Sequence, residues 1–111
     1  MVTLATIQAS LDAIGEAYHI LHLQDGARLC VTRLGGRIIG IFPNADHPNL
    51  LWVNCEVITN AENLRQFIND GGWNLGGERV WIAPEIQYNI RDRNDFWGTH
   101  HVPPQMDPGN Y

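Results

Sequence analysis

A chain of 111 residues has room for one domain, and its net charge of −5, with seven scattered Lys and Arg, disfavours a nucleic-acid backbone or an anionic membrane as partner. Charged residues make up only 17% against 44% hydrophobic, which excludes a disordered chain, and no run approaches the ~20 apolar residues of a spanning helix. Neutral or weakly polar ligands suit such a chain better.

The N-terminus MVTLATIQASLDAIGEA lacks the basic start of a signal peptide, and Gln8, Ser10 and Asp12 interrupt its apolar residues. Leu4, Ile7, Leu11 and Ile14 recur at helical spacing, with Thr3 placed to cap the start and Gly15 the end, so the pattern predicts an amphipathic helix over 3–14. YHILHLQ, the pair Asp25-Gly26 and ARLCVTRL predict a hairpin with strands near 18–24 and 27–34, its DG pair supplying the positive φ of a tight primed turn.

Gly35-Gly36 breaks the pattern, and RIIGIFP resumes it as a third strand rich in β-branched residues. The loop NADHPN leads to a fourth, LLWVN. Thr59-Asn60-Ala61-Glu62 has the form of a capping box, and NLRQFIN then places Leu64, Phe67 and Ile68 on one helical face before Gly71. ERVWIAPE and IQYNI read as strands split by Pro84, and the Pro/Gly/Asp-rich tail 92–111 reads as irregular. The sum is an α+β fold with a mostly antiparallel twisted β-sheet, an N-terminal helix and one short internal helix.

Cys30 and Cys55 are isolated thiols with no CxxC spacing, read as reduced core or near-core residues, which favours a cytoplasmic setting. There is no P-loop, GxSxG elbow or dinucleotide fingerprint: Gly71-Gly72 and Gly76-Gly77 precede a strand, not a helix. No cofactor and no metal are expected. His19 and His22, three apart on a strand, fall on opposite faces and cannot share an ion without a bulge. His100 and His101 sit in loop-like sequence where one of them can reach Glu85 or Asp107. Acid/base chemistry and a structural or solvent-facing role both remain open for the pair.

Four Trp residues call for separate treatment. Trp52, inside LLWV, reads as core bulk. Trp73 and Trp97 lie beside Gly, Asn, Thr and His, where a ring with a polar edge serves equally as packing or as a ligand platform. The stretch GGWNLGGERVWIAPE combines permissive backbone with Trp73, Asn74, Arg79, Trp81 and Glu85, so it is the first place to seek a site.

GGRIIGIFPNADHPNLLWVN followed by GGERVWIAPE resembles the N-terminal part of the galactose mutarotase-like (aldose 1-epimerase-like) superfamily, in order and spacing over roughly residues 18–111. The resemblance implies a partial β-sandwich that binds a carbohydrate on its concave face. Gly76-Gly77 would then let the backbone approach the ligand, and Arg79 would hold sugar oxygens or a carboxylate. Trp73, Asn74, Trp81, Glu85 and Trp97 would line the same face, with His100 and His101 as candidate catalytic groups. Arg79 also has a plain alternative, a strand-edge ion pair with Glu78 or Glu85.

Family members are longer, and their catalytic Glu comes from a C-terminal part that this chain lacks. Anomerisation needs an acid and a base on opposite sides of one ring, so a binding module without turnover of its own is the expectation. Alternatives are an assembly-forming protein with no ligand and an epimerase-like enzyme with a site built between subunits. Half a sandwich exposes sheet edges and an apolar face, so a homodimer or higher oligomer is expected.

Overall fold

The computed structural model of the chain describes residues 1–79 and 85–101. Helix α1 (Leu4–Ile14) begins where the Thr3 and Thr6 side chains cap each other's backbone N–H groups, and it ends at Gly15 in the left-handed region, φ 72°. Its buried stripe of Leu4, Ile7, Ser10 and Leu11 has the i, i+3, i+4 spacing of a helix laid on a core.

Strands β1 (Tyr18–His22), β2 (Arg28–Thr32) and β3 (Arg37–Phe42) form an antiparallel meander, and the two-residue β4 (Glu78–Arg79) adds to β3, giving the order β1-β2-β3-β4. The first turn differs from the primed type. Only Gly26 has positive φ, 80°, while Leu23 and Ala27 close a three-residue loop through a Leu23 N–H to Ala27 carbonyl bond of 2.9 Å. That is the geometry of a hairpin whose glycine takes the left-handed position alone. A β-bulge between Cys30 and Val31 lets Ile39 enter β3 as an extra residue, so that Ile39 and Phe42 both turn inward.

Three expected elements are redrawn. LLWVN is not a ladder strand: Val53 makes one bridge to Gly76, and helix α2 (Cys55–Ile58) follows at once. Asn49 accounts for this, because its side chain accepts from Ile41 N–H and donates to the Ile39 carbonyl, closing the edge of β3 that a fourth strand would have used. Helix α3 (Ala61–Asn69) is capped by Asn60, which accepts from Asn63 N–H, rather than by Thr59. Thr59 is the C-cap of α2 and bonds the Cys55 carbonyl, while Glu62 pairs with Arg65 at 2.6 Å. IQYN is helical, within α4 (Glu85–Asn89), and Ile90 makes one antiparallel bridge to His100. Of ERVWIAPE, Glu78 and Arg79 are strand and Glu85 heads α4, while residues 80–84 lie outside the described residues, as does the tail beyond His101.

The core lies on one face of the sheet. Ile7 and Leu11 of α1, Ile58 and Leu64 of the later helices, and Cys30, Ile39 and Phe42 of the strands are fully buried in one cluster, joined by Leu75. The architecture is an α+β fold with an open four-stranded antiparallel sheet. No helix among the described residues is long and apolar enough to cross a membrane.

Candidate functional site

The glycine-framed segment is built around Leu75, which is 2% exposed and accepts from Asn54 N–H through its carbonyl. Gly77 N–H donates to the Trp52 carbonyl at 2.9 Å, so residues 75–77 and 52–54 lie against each other. A Cβ on Gly76 would stand 2.6 Å from both the Trp52 carbonyl oxygen and Val53 Cα, and one on Gly77 2.5 Å from the Ile38 carbonyl oxygen. With φ of 89° and 72°, the two glycines are required by the chain's own close packing. Their presence is thus accounted for without a ligand.

Arg37 holds this segment from below. It is 3% exposed, and its guanidinium donates to the Gly76 carbonyl at 3.0 Å and to the Trp73 carbonyl at 2.5 Å. The planar fork of Arg suits two carbonyls at a fixed spacing, which fixes the Trp73 backbone. Arg79 is the cross-strand partner of Arg37, and its Cζ lies 5.6 Å from the centre of the Trp73 ring, in cation–π range. Burial lowers the pKa of both arginines, and for Arg79 the neighbouring Arg37 lowers it further. Two guanidinium groups and an exposed indole therefore meet at one place.

The structure thus brings Trp73 and Arg79 together, with Asn74 exposed beside them. Trp52, read from the sequence as core bulk, is 64% exposed. Its ring edge would be 2.9 Å from a Cβ on Gly76, so it belongs to this surface. The signal for it is alternation: Leu50 and Trp52 point outward while Val53 is buried, as in any extended segment with one face on a core.

Trp97 and His100 form a second group, with ring centres 6.5 Å apart and Phe96 packed edge-on against Trp97. His101 is tied to α4 through its N–H and its ring Nδ1, both at the Asn89 carbonyl. Among the described residues no hydrogen bond or ring contact joins this group to Trp73 and Arg79. Trp81 and Asp107 lie outside the described residues, and so does the side chain of Glu85, which heads α4. Among the described residues no three His, Cys, Asp or Glu side chains are grouped to hold a metal ion.

A separate open groove of about 380 Å³ runs between the β1 and β2 ends, lined by Tyr18, His19, Val31, Arg33 and their neighbours. No motif in the sequence pointed to it. Comparison with protein-family models, with curated proteins and with solved structures finds no match for the chain.

Proposed function

We propose that the chain is a carbohydrate-binding module of the mutarotase-like kind, acting in the cytoplasm and without turnover of its own. The observation that carries the proposal is the Trp73–Arg79 pair. An indole 59% exposed is held by a buried arginine below its backbone and faced by a second arginine above its ring. Fixed, exposed indole rings offer an apolar face to the C–H side of a sugar, and guanidinium groups offer donors to its hydroxyls or carboxylate. Trp52 and Asn74 extend the surface. The guanidinium donors suit the carboxylate of a uronic acid as well as the hydroxyls of an aldose.

The test is a ligand-detected NMR screen of aldoses, uronic acids and short glycans, with the mass in solution recorded on the same sample. Saturable binding that disappears in Arg79→Ala and Trp73→Ala variants with native far-UV circular dichroism is the expected result. A silent panel from the folded wild-type protein sinks the proposal. A second reading, an assembly-forming protein, is favoured by one observation of its own, the apolar face of the sheet that no helix among the described residues covers.

A further inference from the structure

The strands carry apolar residues on both sides. Leu29, Cys30 and Val31 run consecutively in β2, and Ile38, Ile39, Ile41 and Phe42 in β3, a composition typical of sheets covered on both faces. Among the described residues the helices cover one face only. Directly opposed residues share a face, so the register sets the other face in two rows across the strands. One runs Glu78, Ile38, Val31, His19, and the next Ile41, Leu29, Leu21, with Leu23 beyond it. Leu21 and Leu23 are 42% and 48% exposed, and Leu29, Val31, Ile38 and Ile41 are partly exposed and stand outside the core cluster.

We infer that this face is the interface of a two-fold dimer in which two copies stack sheet on sheet. The first row chooses the partner. It has a carboxylate at the β4 end, an imidazole at the β1 end and two aliphatic side chains between them. A two-fold axis parallel to the strands, lying between sheets ~10 Å apart, sets β4 of one copy over β1 of the other. Each Glu78 then meets the His19 of the second copy, and the aliphatic residues of both rows close between them. A two-fold across the strands forfeits this match, because it lays the His19 row on the Leu21 row. Acid and imidazole at opposite ends of one apolar row thus favour a second copy over an unrelated apolar partner.

The contact is small. Strands about 17 Å long and a sheet ~14 Å across offer each copy a few hundred Å² of face, below the ~800 Å² per partner of a standard interface. The dimer is therefore concentration-dependent. Arg79 follows Glu78 and takes the helix-bearing side, so the dimer leaves the Trp73–Arg79 surface open and does not rest on the saccharide reading.

Sedimentation velocity on the full chain from micromolar to millimolar concentration tests it. The mass is expected to rise from one chain to two, and Leu29→Asp to hold it at one throughout. Glu78→Lys and His19→Glu are each expected to weaken association about tenfold or more, and the two together to restore it. Both positions are exposed, so these reversals keep the test valid should Leu29→Asp fail to fold. A single-chain mass at every concentration overturns the inference, as does a dimer that the charge reversals leave unchanged, which would mean that another surface associates.

Discussion

On the helix-bearing face of the sheet Cys30, Ile39 and Phe42 are inaccessible to solvent, whereas on the opposite face Leu21 is 42% exposed and Leu29, Val31, Ile38 and Ile41 keep part of their surface in water. The residue types are nearly the same. What differs is the supply of covering elements: α1 and α3 belong to one face, and the glycine-framed segment closes the end of that same face through Leu75. Apolar character in a strand therefore reports that a face is meant to be covered, and says nothing about whether this chain supplies the cover.

The comparison is tested most severely at Phe42. Its ring is fully buried, and truncation to Ala is expected to cost about 3–5 kcal/mol, read from the urea midpoint. A loss below about 1 kcal/mol would mean that the covered face is as loosely packed as the bare one.

Arg37 comes next, because it is the polar pin of the covered face. Arg37→Met keeps the length of the side chain and leaves the Gly76 and Trp73 carbonyls without their donor, for an expected loss of roughly 2–4 kcal/mol. Trp73 fluorescence should shift with it, since its backbone is no longer fixed. Arg79→Met, by contrast, should change stability by about 1 kcal/mol or less while abolishing saccharide binding.

Much of this was legible in the sequence where a local rule decided the outcome. Thr3, the Leu4-Ile7-Leu11 stripe and Gly15 each state a helix signal that nothing elsewhere overrides. The hairpin and β3 were equally plain. LLWVN and IQYNI were not, because their fate depends on partners distant in the chain. Asn49 occupies the edge that LLWVN would have joined, and IQYNI makes a single bridge, from Ile90 to His100, after a turn of helix. Within the site, Trp73 and Arg79 stood out beside the glycines. Arg37 did not, since an Arg at a strand start reads as exposed until a buried pair of carbonyls is found above it.

A smaller effect separates the two cysteines. Cys30 lies in the covered core, where burial pushes its thiol from an ordinary 9.0 up to about 12, while Cys55 is exposed. A raised folded pKa favours the protonated thiol in the native state. The stability it contributes is complete below pH 9 and is lost progressively as the pH rises from 9 toward 12. Unfolding midpoints should therefore fall in that window for the wild type, and fall less steeply for Cys30→Ala. Thiol titration of the native protein should count one reactive group, Cys55. Two reactive groups below pH 9 would mean that the covered face opens readily.

The smallest expected effect lies on the bare face and sharpens the comparison most. Leu29→Thr introduces a β-branched residue suited to a strand and removes apolar surface that stands outside the core cluster. In dilute protein the unfolding free energy should move by no more than about 0.5 kcal/mol. If a second copy covers this face, the same substitution must matter more as protein concentration rises, because association stabilises the folded state by mass action. Melting wild type and Leu29→Thr at concentrations spanning the dimer transition separates the cases. Curves that diverge with concentration mean that the face is completed by another molecule, and curves that stay parallel mean that it remains open to water.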